Sequence, residues 1–436
     1  IPTCPVMGHG LVVPGIVAPA AGWSAEIPAA LTLDIAALDQ WPEAIDRMYA
    51  HWAMRSPARG NASARWWWRV LEDLFFAPRE VRVRLGHRLE RDRQDILSLG
   101  DRQIQVLDML ARVRRQTIFG SAGTGKTVLA IEKARALSDQ GMRVLLTCYN
   151  KGLGRYLRDA VEDCPAITAV HFHELCYELA GLEERSVEPP KGRQEQRTFY
   201  DQTLPQYLID ASADLSPLWD AVVVDEGQDF LEPYWRALDS LCVDPERAIR
   251  YIFFDDRQVL RDRPDPVPGA ETALVLQTNW RNSKSIVKHL SEVEPRLREL
   301  PCAAPEGVPV DFEPLTPTLQ DAFARLLTRL VKQGGVAVED IVVLCGRSPT
   351  RSKIMALKQP IAGVRLSATE EPDTIRVRSI HGYKGLEAPV VILSDLHGYP
   401  REKARQLYYV GASRAMNHLV VLGDADLRAD IEARSP

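Results

Sequence analysis

The sequence contains no lysine before Lys126, and lysine is scarce throughout its 436 residues. Eleven lysines stand against 43 arginines, and acidic residues give the chain a net charge of −5. This balance excludes a polybasic protein that attracts nucleic acid by its overall field. Any nucleic-acid contact must therefore lie in a local groove.

Cysteine pairs at metal-binding or redox spacing are also absent. The seven cysteines are scattered, and no C-x-x-C pair occurs, which argues against a zinc site or a disulfide framework. The most apolar early stretch, Leu11 to Trp23, is broken by Pro14, Gly15 and Pro19. It is too short to span a bilayer and follows no basic segment of a signal peptide. We expect a soluble cytoplasmic protein with reduced thiols and no membrane partner.

Apolar residues (45%) and charged residues (26%) are present in globular proportions, and the length suggests roughly three domains. Residues 1–95 hold six of the nine tryptophans, and we predict an accessory α+β region there, with helical patterns at Leu33–Trp52 and Ala64–Phe76. We predict a second domain at 96–270, with a short insert at about 180–216, and a third at 271–436. The chain begins at Ile1, and we expect natural sequence upstream of it.

Short apolar strands alternate with helical segments in both of these larger domains. This βα alternation is typical of a parallel sheet covered by helices, so the predicted fold class is α/β. The strands are predicted at Gln116–Phe119, Val144–Thr147, Ala221–Val224 and Tyr251–Phe254 in the first domain, and at Ile341–Leu344, Ile375–Arg378, Val390–Leu393 and Leu419–Leu422 in the second.

A glycine-rich turn follows the first of these strands and opens a helix, which is the context that a phosphate-binding loop requires. Its backbone N–H groups and the helix N-terminus can bind phosphates. Lys126 is expected to reach the β- and γ-phosphates of ATP, and the Thr127 hydroxyl is expected to hold Mg²⁺. The nucleotide-binding residues predicted here are Gly120, Ser121, Ala122, Gly123, Thr124, Gly125, Lys126 and Thr127.

An apolar strand at Ala221–Val224 runs directly into the acidic residues Asp225 and Glu226. Parallel strands deliver such residues to the sheet edge where a phosphate loop also lies. Asp225 fits a carboxylate near Mg²⁺, and Glu226 fits the base that deprotonates water. Together with the glycine-rich turn, they predict hydrolysis of a nucleoside triphosphate.

These motifs, in this order, resemble those of the superfamily 1 helicases of the UvrD/Rep/PcrA type, from about Leu99 to Leu422. The resemblance implies two RecA-like P-loop domains with ATP between them. It implies that Gln103 and Trp280 contact adenine and that Glu387 belongs to the nucleotide site. It further implies that Gln258 couples the γ-phosphate to the strand-binding face. Arg281 and Arg414 would sense the γ-phosphate from the second domain, although either arginine alone could be a surface ion pair.

The same resemblance, together with side-chain type, suggests contacts to a nucleic-acid strand. Hydroxyls, amides and one lysine suit phosphates, and Phe172 or Tyr149 could stack a base. Alternatively, Phe172 is a core residue and the histidines are structural. The predicted strand contacts are Thr147, Tyr149, Asn150, Lys151, His171, Phe172, Ser379 and His381.

Some family features are missing. Val259-Leu260-Arg261 stands where many relatives carry an aromatic residue. The 1B insert is short, and the segment between Ile341–Leu344 and Ile375 leaves no room for a large 2B subdomain. We therefore expect ATP hydrolysis and single-strand translocation more than strong duplex unwinding.

Within the family, Phe76-Ala-Pro and Leu145-Leu-Thr-Cys-Tyr-Asn150-Lys resemble the helicases fused to a nuclease-related (NERD) domain. Residues 1–95 would then be the tail of such a domain. The absence of lysine before Lys126 excludes a carboxylate–lysine nuclease site from that region, so any such site would lie upstream or be lost. Trp66–Trp68 could stack bases, but helix packing is the favoured interpretation.

The sequence thus predicts an ATP- and Mg²⁺-dependent translocase or helicase on single-stranded DNA. A 3′-to-5′ direction and a role in DNA repair or phage defence follow from the resemblance. Two alternatives remain: an ATPase that gates a nuclease domain or partner subunit without unwinding, and an RNA-directed helicase. The oligomeric state is not predicted.

Overall fold

The computed structural model describes residues 11–13, 28–34, 40–55, 85–98, 107, 110, 112–181, 189–215, 218–244, 247–258, 265–294 and 301–432. The chain forms two compact units, Ile1–Arg82 and Val83–Pro436. The boundary predicted near residue 95 therefore falls inside the second unit. Gln103, Trp66–Trp68 and Val259–Arg261 lie outside the described residues.

The first unit contains an α+β element. Strands β1 (Leu11–Val13) and β2 (Thr32–Asp34) pair in parallel, and a helix covers Trp41–Arg55. The helix predicted over Leu33–Trp52 is thus wrong at its start, where Leu33 lies in a strand. A helix from Leu33 would carry Pro42 in its interior, whereas proline fits the first turn of the observed helix.

Six described strands of the second unit form one parallel sheet in the order β5-β4-β6-β7-β3-β8. Its central strands are apolar and buried on both faces, as expected when helices cover a parallel sheet. The last strand extends to Leu276, so the first domain passes the boundary predicted at 270. The strands are β3 (Arg115–Gly120), β4 (Val144–Cys148), β5 (Ile167–His171), β6 (Ala221–Asp225), β7 (Ile249–Phe254) and β8 (Leu274–Leu276).

Helices cover this sheet, and we call residues 112–276 the first lobe. The predicted insert holds two further helices joined by a π-helical turn at Phe199–Thr203. The helices of the sheet are Lys126–Ser138, Lys151–Ala160, Phe172–Leu179 and Glu232–Ser240, and those of the insert are Arg193–Thr198 and Leu204–Ser212.

A second parallel sheet of six described strands has the order β11-β12-β10-β13-β14-β9. We call residues 279–432 the second lobe. Its strands are β9 (Asp311–Glu313), β10 (Ile341–Cys345), β11 (Arg365–Ser367), β12 (Thr374–Ser379), β13 (Ala388–Ser394) and β14 (Ala415–Leu422), and its helices are Lys284–Val293, Leu319–Leu327, Arg401–Ala412 and Ala425–Glu432. The predicted α/β class with two parallel sheets is confirmed.

The helix Leu85–Ser98 belongs to the second lobe by its contacts. Leu89 is buried in the same hydrophobic cluster as Phe323 and Ile341. Arg88 donates a hydrogen bond to the Gly307 carbonyl at 2.6 Å. The predicted boundary at 95 divides this helix, since a charge-dense stretch was taken for a linker although its few apolar residues pack on a core.

The two lobes meet where their strands end. Leu386 of the second lobe packs on the hydrophobic cluster that contains Leu153 of the first, and Asn150 Nδ2 donates to the His381 carbonyl at 2.9 Å. Because strands of a parallel sheet end at one edge, the loops after β3, β6 and β7 all face this junction. No helix in the described ranges has the length and hydrophobicity needed to cross a bilayer.

Candidate functional site

The glycine-rich turn connects β3 to the helix Lys126–Ser138, as the spacing predicts. Gly123 (φ 74°) and Gly125 (φ 83°) adopt left-handed conformations that favour glycine. Gly125 is the N-cap, and no side chain caps the helix there. The first N–H groups of the helix are thus open toward an anion.

Lys126 is buried within the turn. Its Nζ donates to the carbonyls of Gly120 (2.8 Å) and Ser121 (3.1 Å) and lies 3.8 Å from Asp255 Oδ2. Thr124 Oγ1 also donates to the Ser121 carbonyl at 2.8 Å. The positive charge is therefore placed among the phosphate-loop carbonyls, next to the open helix N-terminus.

Thr127 and Asp225 form the candidate Mg²⁺ position. Thr127 Oγ1 donates to Asp225 Oδ2 at 2.7 Å. Burial, with the charge of Glu226 adding to it, raises the pKa of Asp225 to about 7, against the opposing effects of Thr127 and Lys126. A cation would relieve this repulsion, so the pair fits Mg²⁺, whose remaining ligands are usually phosphate and water oxygens. The described residues contain no group of three or more acidic, histidine or cysteine ligands that could hold a metal.

Glu226 follows at the end of β6 in a left-handed conformation (φ 55°), which is unusual for a residue with a side chain. Gln228 Nε2 donates to its Oε2 at 2.5 Å, and Lys384 Nζ lies 3.8 Å away. Burial opposes ionisation, but the charges of Lys384, Lys126 and Arg414 outweigh it and lower the pKa of Glu226. Glu226 is thus held as a carboxylate.

Gln258 lies fully buried between the lobes. Its Nε2 donates to Asp255 Oδ2 at 2.7 Å, and its Oε1 accepts from Arg414 Nη2 at 2.5 Å. Asp255 in turn lies beside Lys126. Gln258 therefore joins the lysine of the first lobe to the arginine of the second.

Both predicted arginines of the second lobe line the same cavity, of about 660 Å³, as Lys126 and Glu226. Arg281 Nε pairs with Glu387 Oε2 at 3.0 Å. Arg414 is buried, and its Nε donates to the Val410 carbonyl at 3.2 Å. Neither arginine is a solvated surface ion pair, and the two lobes together enclose the site.

Other predicted nucleotide contacts are placed less directly. Trp280 is half-buried and does not line the cavity; its backbone N–H donates to the Gly123 carbonyl at 2.9 Å. Ser121 Oγ accepts from Arg257 Nη1 at 2.5 Å, and the Ala122 carbonyl accepts from Asn279 Nδ2 at 2.9 Å. Stacking of Trp280 on adenine stays a prediction, as does the role of Gln103.

Two of the predicted strand contacts, Thr147 and Phe172, are fully buried, and we withdraw them. Thr147 lies on β4 between two neighbouring strands. Phe172 stacks on Tyr234 with ring centroids 4.4 Å apart and belongs to the core of the first lobe. The alternative interpretation of Phe172 as a core residue is the correct one.

The remaining strand candidates lie near the lobe junction. Asn150 caps the helix Lys151–Ala160 by accepting from Gly152 N (2.8 Å) and Leu153 N (3.3 Å). His171 is buried with Nδ1 2.7 Å from Glu174 Oε2, which favours a structural role. Lys151 and His381 are exposed, Tyr149 and Ser379 are half-buried, and Ser379 Oγ accepts from Gly382 N at 3.0 Å.

Several residues of the site were not predicted. Asp229 and Lys384 form a buried ion pair between the lobes, and Asn279 and Asn282 join the phosphate loop to the segment carrying Arg414. All four lie inside motifs quoted from the sequence. A buried charge or amide gives no periodic signal, so only its position within those motifs could have indicated a role.

Comparison with protein families gives one match. Residues 374–422, which run from β12 to the end of β14, match the model of the UvrD-like helicase C-terminal domain. This segment carries Lys384, Glu387 and Arg414. No curated protein matches the chain.

Among solved structures, the chain is similar to the Arterivirus nonstructural protein 10 (helicase), with 13% identity and a TM-score of 0.36 over 73% of this chain and 61% of that one. The same helicase in complex with DNA matches with 13% identity and a TM-score of 0.37, over 73% and 63% of the two chains. The chain thus spans less than two thirds of the length of these helicases.

Proposed function

We propose that this protein is an ATP- and Mg²⁺-dependent superfamily 1 helicase or translocase that acts on single-stranded DNA in the 3′-to-5′ direction. One observation carries the proposal: Lys126 of the first lobe and Arg281 and Arg414 of the second line a single cavity. The match of residues 374–422 to a UvrD-like helicase domain supports the same function.

Nucleotide binding would use the open helix N-terminus and Lys126. The ammonium group, now bonded to the Gly120 and Ser121 carbonyls, would turn to the β- and γ-phosphates. Thr127 and Asp225 would hold Mg²⁺, which when bound neutralises phosphate charge. The pairing of Arg281 with Glu387 places both side chains at the wall of the same cavity.

Hydrolysis would use Glu226 as the base that orients and deprotonates water. Its lowered pKa keeps it ready to accept a proton at neutral pH. Arg281 and Arg414 would stabilise negative charge on the transferred phosphoryl group, an effect worth roughly 10³–10⁵ in turnover for such arginines. Gln258 would report the state of the site, since it contacts Arg414 and Asp255 together.

Translocation requires that the cavity close and open with each turnover. The lobes are joined beside the cavity by Asn150 and His381, two of the predicted strand contacts. Opening the cavity would move these contacts relative to each other and so step along a strand. We further propose a nuclease-related domain upstream and a role in DNA repair or phage defence, both from the family resemblance.

The decisive measurement is steady-state ATP hydrolysis with and without single-stranded DNA and, separately, RNA. We expect stimulation by DNA, no turnover in Lys126→Ala, and retained ATP binding without hydrolysis in Glu226→Gln. The exposed Lys332→Ala and Glu232→Gln are matched controls and should behave as wild type. Turnover that ignores nucleic acid would favour a gating ATPase, preference for RNA would favour an RNA helicase, and normal hydrolysis by Glu226→Gln would refute the base assignment.

A further inference from the structure

A pair of asparagine side chains connects the phosphate loop to the segment that carries Arg414. Asn279 and Asn282 are 4% and 0% exposed. They follow β8 and precede the helix Lys284–Val293, so they lie where the chain passes from the first lobe to the second.

The hydrogen bonds of this pair run in one chain. Asn279 Nδ2 donates to the Ala122 carbonyl of the phosphate loop (2.9 Å) and to Asn282 Oδ1 (3.0 Å). Asn282 Nδ2 donates to the carbonyls of Ser413 (2.9 Å) and Ala415 (2.7 Å), which flank Arg414. Backbone carbonyls only accept, so the orientation of both amides is fixed and all four of their N–H donors are used.

The fit to the phosphate loop is also steric. A Cβ on Gly123 would lie 2.0 Å from Asn282 Oδ1 and 2.4 Å from Asn279 Nδ2. The Gly123 carbonyl additionally accepts from the backbone N–H groups of Trp280 (2.9 Å) and Arg281 (3.2 Å). The loop tip, Arg281 and Arg414 thus belong to one buried hydrogen-bonded unit.

We infer that Asn279 and Asn282 are positioning residues, which set Arg414 in register with the phosphate loop by fixing the peptide groups on both sides of it. This inference rests on the proposed ATP hydrolysis. Arg414 is a long side chain whose guanidinium contacts Gln258 and Ser413 Oγ. A shift of its backbone would displace the guanidinium from the transferred phosphoryl group, and a 1 Å displacement at a reacting centre can cost about 10²-fold in rate.

The test compares kcat with nucleotide affinity. In Asn282→Ala we expect kcat to fall by about 10²-fold, with the Kd for a non-hydrolysable ATP analogue changed by less than about threefold, as for lost transition-state contacts alone. Asn417→Ala is the matched control, since Asn417 is equally buried on the same strand and its side chain has no hydrogen-bond partner among the described residues. It should retain wild-type kcat.

A double variant separates positioning from general loosening of the fold. If Asn282 acts through Arg414, adding Asn282→Ala to Arg414→Ala should lower kcat by no more than about twofold, whereas independent effects would multiply. Multiplied losses, or equal losses in Asn417→Ala, would overturn the inference. Should Asn282→Ala not fold, Asn279→Ser keeps the volume small and removes the donor to Ala122, with the same expectations. If wild type hydrolyses no ATP, the proposed function fails before this test begins.

Discussion

Lys384 Nζ of the second lobe lies 2.6 Å from Asp229 Oδ2 of the first, and both side chains are almost fully buried. The same ammonium group is 3.8 Å from Glu226 Oε2. One cation thus neutralises two buried carboxylates, and it joins the lobes beside the proposed catalytic base.

Lys384→Met tests this ion pair. The variant leaves Asp229 buried without its cation, and removal of one partner of a buried pair costs roughly 3–5 kcal/mol in the free energy of unfolding. Denaturant unfolding should show that loss, and adding Asp229→Asn should recover part of it. An unchanged loss in the double variant would contradict an interaction between the two residues.

Gly123→Ala tests the fit of the phosphate loop against the second lobe. Gly141 has a similar positive φ of 81°, but a Cβ there meets nothing within 4 Å. Gly141→Ala should therefore cost only the strain of a left-handed residue, about 1–2 kcal/mol. Gly123→Ala adds a collision with Asn279 and Asn282, so we expect a larger drop in melting temperature and loss of ATP turnover. Equal behaviour of the two variants would argue against the tight fit.

Phe172 and Lys151 separate core from strand contact. Phe172→Ala should destabilise the chain by about 3–5 kcal/mol, because it leaves a cavity in the core of the first lobe. Lys151→Ala removes an exposed charge, so the unfolding free energy should not change. If Lys151 contacts a phosphate, its loss should weaken binding to every DNA sequence and reduce the salt slope by about 1. Binding titrations at several salt concentrations measure this slope.

The buried His418 predicts a pH dependence of stability. Burial, with Arg329 adding to it and Asp311 opposing it, lowers the pKa of His418 to about 4, whereas unfolded histidine titrates near about 6.5. The native state therefore binds the proton less readily than the unfolded state. Stability from this group is complete above the unfolded pKa and is lost as pH falls from there toward 4, by about 3 kcal/mol.

His418→Gln removes this titration. Denaturant unfolding of both proteins between pH 7 and pH 4 should show wild type losing more stability than the variant across that window. Parallel curves would show that His418 does not titrate differently on folding.

Local motifs carried most of the sequence prediction. The glycine-rich turn at 120–125 and the strand ending in Asp225 and Glu226 are contiguous, so their conformation follows from residues that are neighbours in sequence. The alternation of apolar strands and helices likewise predicted two parallel sheets. Short strands such as β5, β8, β9 and β11 were missed because three to five residues give too little periodicity.

Burial and pairing between the lobes could not be predicted from spacing. Phe172 and Thr147 have side chains suited to nucleic acid, yet packing of the first lobe places both in its interior. The charge-dense helix Leu85–Ser98 was assigned to a linker, since a single apolar contact such as Leu89 decides its place.

The sequence by itself determined the phosphate loop, the acidic strand end and the α/β class, because each depends on backbone geometry and hydrophobic pattern over a few residues. Only the tertiary structure decided that Lys384 meets Asp229, 155 positions away, and that two asparagines join Ala122 to the carbonyls around Arg414. Such contacts depend on how two separately formed sheets pack, and a hydrogen bond or ion pair between them leaves no periodic trace along the chain.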